Sequence, residues 1–112
     1  MAKIDQGKVR REFGEAVNMT AAELGDWLAT DESRSVGFKR EGATESVGHA
    51  SGRRIAQLLN KNAAELSNDD YAHMRKVVGY VRRHLAQRPD NIYTSRWRYS
   101  LMNWGHDPTK EV

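Results

Sequence analysis

Between Asn68 and Gln87 the apolar residues recur at helical spacing and at no other period. Taking 100° per residue, Tyr71, Met74, Val77, Val78, Val81 and Leu85 fall within an arc of about 120°. Ser67-Asn68-Asp69-Asp70 precedes this run with a capping side chain and two acids in the first turn, where the helix dipole favours negative charge. A long amphipathic helix ending near Leu85 or Gln87 is the reading. A helix apolar on one stripe cannot be stable alone, so the rest of the chain must supply partners for that stripe.

The partners read as helices too. Asp5 is a plausible N-cap for a segment to Asn18 that places Val9, Phe13, Ala16 and Val17 at helical spacing. Thr20-Ala21-Ala22-Glu23 matches the capping box, and the short helix after it buries Leu24, Trp27 and Leu28 before ending at Thr30-Asp31. Residues 31–48 mix charge with glycines and show no period, which predicts a long flexible loop with Phe38 pinning it to the core. From Ser51 or Gly52 another helix sets Ile55, Leu58, Leu59 and Asn62 against Arg53, Arg54, Gln57, Asn60 and Lys61. After the break at Pro89-Asp90-Asn91, Thr94 or Ser95 caps a last helix with Trp97, Leu101 and Trp104 on one face, stopped by Gly105 and Pro108. The expected fold is all-α: one domain over residues 1–112, a compact bundle of four to five helices, with tails at 1–4 and 106–112.

The 112 residues suffice for one modest core. Having no cysteine removes disulfides, thiolate chemistry and Cys-based zinc sites. The chain has no apolar run long enough for a membrane span and no apolar segment near Met1 of the kind a secretory signal needs. Cytoplasm is therefore the expected compartment, and the nucleoid if the source is bacterial.

Net charge is +3, but residues 1–45 carry seven bases and nine acids, whereas residues 46–112 carry eleven bases and six acids. The two parts are thus −2 and +5, and clustered positive charge attracts polyanions. The stretch from Asp69 to Arg98 concentrates the bias: Arg75, Lys76, Arg82, Arg83, Arg88, Arg96 and Arg98 against Asp69, Asp70 and Asp90. On the long helix, Arg75, Lys76, Arg82 and Arg83 surround Gly79, a residue that costs roughly 1 kcal/mol relative to Ala inside a helix. Close approach of a phosphate ridge or of a neighbouring helix would each account for it.

Other chemistry finds little support. None of His49, His73, His84 and His106 has a recognised metal-ligand spacing, and His73 and His84 border the apolar stripe as half-buried residues. His106-Asp107 lacks an aligned nucleophile, so Asp107 reads as a turn cap before Pro108. The glycines at 37, 42, 48 and 52 lack the spacing and the preceding strand of a phosphate loop. Among the aromatics, Trp97 and Trp104 read as core, and Tyr99, on another face, is the candidate for stacking on a base. No cofactor, metal or small-molecule substrate is expected.

The strings NMTAAELGDWL, ESVGHASGRRIAQLL, LSNDDYAHMRKVVGYVRRHLAQRP and SRWRYSLMNWGHDP resemble those of a family of small, uncharacterised bacterial and fungal proteins, over about Phe13 to Pro108. The resemblance implies DNA binding, since some members are described as DNA-binding proteins, and it brings no set of functional residues. The leading expectation is a non-enzymatic DNA-binding protein dominated by phosphate contacts and weakly sequence-specific. Its contacts would be Arg53, Arg54, Lys61, Arg75, Lys76, Arg82, Arg83, Arg96 and Arg98, with Gln57 and Asn60, on the same outward arc as Arg53, the nearby side chains suited to base edges. The alternative is a protein–protein interaction or regulatory module, such as a homodimer packed through Gly79.

Overall fold

Side-chain caps set where the helices begin. Asp5, Thr20, Thr30, Ser46, Ser67 and Ser95 each accept a hydrogen bond from a backbone amide in the first turn that follows. The computed structural model describes residues 5–111 as six α-helices: α1 (Gln6–Ala16), α2 (Ala21–Leu28), α3 (Asp31–Ser35), α4 (Val47–Leu59), α5 (Asn68–Leu85) and α6 (Arg96–Asn103). Two 3-10 turns add Ala63–Glu65 and Pro108–Glu111, and no strand occurs among the described residues. The all-α bundle is the expected one. Residues 1–4, expected as a tail, lie outside the described residues.

The apolar stripe of α5 is buried as its spacing predicts, with Tyr71, Met74, Val77, Val78 and Val81 closed off from water and Leu85 packed beside them. Val9 and Phe13 of α1, Leu24 and Leu28 of α2, Ile55 and Leu58 of α4, and Trp97, Leu101 and Trp104 of α6 complete one continuous core. Packing is closest at Gly52, where an added Cβ would stand 2.5 Å from the Asn103 carbonyl oxygen and 2.7 Å from a Leu28 methyl. Only glycine lets α4 pass that close to α2 and α6.

Three expectations need correction. The segment 31–48 is not one loop: Thr30 ends α2 and also caps α3, while α4 begins at Val47, leaving only residues 36–46 as connection. The α3 turn escapes a hydrophobic scan because the side chain it buries is Ser33, held by the buried amide of Asn103, which also accepts from the Trp27 indole at 2.8 Å. Phe38 does not pin the connection, since its ring is 72% exposed. Nor do residues 106–108 belong to a tail, because His106, Asp107 and Pro108 are buried; Val112 lies outside the described residues. Gly105, at φ +83°, closes α6 in a Schellman motif, with the His106 amide donating to the Leu101 carbonyl and the Gly105 amide to that of Met102. Asn18 and Asp107 then exchange two hydrogen bonds at 2.8 and 2.9 Å, fixing this end of the chain beside the α1–α2 junction.

Candidate nucleic-acid interface

At 100° per residue α5 divides into three sectors. One is the core stripe. At its edge, His73, Tyr80 and His84 share an arc of about 40° and face α6. There they interleave with the α6 tryptophans in a run of near-parallel rings, His73–Trp104–Tyr80–His84–Trp97, with interplanar angles of 14–17° and centroids as close as 4.2 Å for Tyr80–Trp104. The Trp97 indole N–H donates to the His84 carbonyl at 2.6 Å. The third sector, opposite the core, carries Arg75, Lys76, Gly79, Arg82 and Arg83.

The nine cations expected at the interface do not act alike. Arg53 forms a two-pronged ion pair with Glu45 at 2.6 and 2.8 Å, and Glu45 also holds the His49 ring. Arg54 and Lys61 share the buried carboxylate of Asp70, at 3.3 and 2.9 Å, and so fasten α4 to the start of α5. Arg82 reaches across to Glu12 of α1 at 2.6 Å. Arg98 is committed to Asp107, to Thr109 and to the Tyr93 carbonyl. Arg96 donates to the Ser35 carbonyl at the end of α3, which leaves its charge unneutralised but anchors it away from α5. Of the nine, only Arg75, Lys76 and Arg83 are exposed with neither an acid within ion-pair distance nor a side-chain hydrogen bond among the described residues.

Titration shifts follow this division. The Lys61 ammonium, the Ser67 amide and Arg54 hold the Asp70 carboxyl far below the usual carboxylate range. Hydrogen bonds from Arg53 and His49 bring Glu45 down to about 2. Burial first, then the positive charges of Arg54 and Lys76, push His73 down to about 4, and burial lowers His84 as well. Both rings are thus neutral at pH 7, and they add no positive charge to α5.

Gly79 has a local explanation that the sequence does not disclose. A Cβ placed there would meet the Arg83 guanidinium at 3.0 Å, so it is the protein's own arginine that lies over the bare backbone. Tyr99, the expected stacking residue, rests instead on Trp27, with ring centroids 5.4 Å apart. Gln57 and Asn60 are exposed, but on α4, whose cations are all engaged. The residue that sequence reasoning missed is Arg40. It comes from the irregular 36–46 connection, where no periodicity indicates a direction, and it lines a cleft together with Lys76 and Arg83. No cluster of three metal-ligating side chains occurs among the described residues, and no helix of the structure is long and apolar enough to cross a membrane.

The chain belongs to the family described as "Protein of unknown function (DUF3140)", whose model matches residues 12–102. No curated protein and no solved structure matches it.

Proposed function

We propose that this member of a family of unknown function is a non-enzymatic DNA-binding protein that grips phosphates with the outward face of α5. The observation that carries the reading is the contrast among its cations: four acids across the fold pair with Arg53, Arg54, Lys61, Arg82 and Arg98, Asp70 being shared by Arg54 and Lys61, and leave Arg75, Lys76 and Arg83 unpaired on one helix face. Contacts from such side chains position a protein on a duplex without reading its sequence, which fits weak specificity. The resemblance to bacterial and fungal proteins described as DNA-binding agrees with this, and a cytoplasmic, nucleoid-associated location would follow in a bacterium. The rival reading, a module that dimerises through Gly79, is weakened because the Arg83 guanidinium already covers that glycine.

Fluorescence anisotropy of a labelled duplex, titrated with the protein at several salt concentrations and challenged with unlabelled random and single-stranded competitors, tests the proposal. Binding that weakens as salt rises, and that Arg75→Gln and Arg83→Gln each reduce for every sequence tried, is the expected result. Absence of binding at low micromolar protein in dilute salt would overturn it, and light scattering of Gly79→Leu would then test the dimer.

A further inference from the structure

Beside the unmatched cations of α5 lies a cleft of about 380 Å³, walled by α4, α5, α6 and the connection after α3. Its walls divide by chemistry. Arg40, Lys76 and Arg83 stand around it, and no acid is among its lining residues. The apolar part includes Val47, Tyr80, Trp104 and Phe38, the last with its ring 72% exposed.

Two features give this cleft the look of a prepared site. The indole N–H of Trp104 has no hydrogen-bond partner among the described residues, although the residue is only 4% exposed, whereas the indoles of Trp27 and Trp97 donate to Asn103 and to the His84 carbonyl. Because Trp104 lines the cleft, this N–H is open to an acceptor carried by whatever enters it. That donor is kept open by Gly48, where any Cβ would stand 2.9 Å from the indole nitrogen. At the rim, Phe38 is held in place by its backbone, its carbonyl accepting from the Val47 amide at 2.8 Å, while its ring stays in water. An exposed aromatic at the mouth of a mostly apolar cleft is a surface for a planar partner.

We propose that this cleft binds a nucleotide unit, with the planar base against Phe38 and Tyr80, a base acceptor on the Trp104 indole N–H, and the phosphate between Arg40, Lys76 and Arg83. The inference rests on the reading of α5 as a phosphate-binding face and extends it to the base. Arginine forks and a lysine suit a phosphate, aromatic rings suit any base, and the size lies in the range of small-ligand pockets. The same chemistry is offered by a free nucleotide and by an unstacked nucleotide of a single strand.

Calorimetric titration of the whole protein with thymidine monophosphate, thymidine, inorganic phosphate, a short oligothymidylate and a duplex tests this, alongside NMR spectra of the three indole N–H groups. The expected result is that the monophosphate binds more tightly than thymidine or phosphate alone and moves the Trp104 signal while the hydrogen-bonded indoles of Trp27 and Trp97 stay put. Phe38→Ala and Arg40→Gln alter exposed side chains, and each should weaken binding about 5-fold or more, the lower end of what loss of one stacking ring costs. If the oligonucleotide displaces the monophosphate, the source is a single strand; if it does not, the source is a free nucleotide. No response to low-millimolar monophosphate, or an affinity unchanged by both substitutions, would overturn the inference. Duplex binding that persists in that case leaves the α5 interface standing, whereas monophosphate binding without duplex binding removes the DNA reading alone.

Discussion

The salt dependence of DNA binding distinguishes a face of three cations from one of nine. Each phosphate neutralised by a protein cation releases condensed counterions, and the slope of log K against log salt is about −0.9 per contact on duplex DNA. All nine sequence-predicted cations would give about −8, and a loss of affinity on the order of 10⁵-fold between 50 and 200 mM salt. Arg75, Lys76 and Arg83 alone give about −2.7 and a loss of about 40-fold over the same range, and Arg40 would steepen this to about −3.6. Single substitutions sharpen the comparison. Arg83→Gln should flatten the slope by about 0.9, while Arg82→Gln should flatten it less, because Glu12 already neutralises Arg82 at 2.6 Å. Glu12→Gln frees Arg82, whose side chain is 62% exposed, and should steepen the slope by about 0.9 and tighten binding. The Arg82–Glu12 pair is a surface salt bridge worth at most about 1 kcal/mol, so the fold should survive its loss. Anisotropy titrations at five salt concentrations measure all of these. A slope near −8, or equal effects of Arg82→Gln and Arg83→Gln, would refute the argument that acid pairing decides which cations bind.

Four further outcomes follow from the packing and the charges. Gly79→Ala should raise stability by up to about 1 kcal/mol in urea denaturation, since the new methyl displaces only the tip of a flexible arginine and the helix gains propensity. Gly52→Ala should lower it by about 1–3 kcal/mol, because its Cβ meets a backbone carbonyl rather than a movable side chain. Asn103→Leu should cost at least about 2 kcal/mol by stranding the Trp27 indole and Ser33, and a smaller loss would mean that water replaces the amide. His73 is lowered to about 4 from 6.5, so the unfolded chain takes up its proton first. Stability should therefore be full above pH 6.5 and fall as the pH drops towards 4, and His73→Gln should flatten that part of a pH-dependent denaturation curve.

Much of the helical frame was legible because its signals are local. Caps at Asp5, Thr20, Ser67 and Ser95 lie next to the amides they satisfy, and the α5 stripe is visible in a window of fifteen residues. The segment 31–48 was misjudged for a physical reason. Its helix, α3, is anchored by a serine to an asparagine 70 positions away, so no hydrophobic period marks it. The burial of residues 106–108 was likewise hidden, since it depends on the exchange of hydrogen bonds with Asn18 across 89 positions.

The candidate site shows the same divide between local and distant information. Sequence places cations on helix faces, but whether a cation is available depends on where acids arrive from elsewhere. Glu12 is 70 positions from Arg82 and Asp70 is 16 from Arg54, so neither pairing can be read from a helical wheel of one segment. Neutralised cations still contribute to pI and to a local charge count, which is why a basic stretch overstates a binding surface. The three cations that remain, Arg75, Lys76 and Arg83, are those of the nine to which the fold supplies neither an acid nor a carbonyl. Arg40, carried by a connection with no regular structure, joins Lys76 and Arg83 around the cleft that Trp104 faces with its unpartnered N–H. Convergence of unmatched charge, an open indole donor and an exposed Phe38 on one place is harder to ascribe to a merely solvated face than any of the three alone.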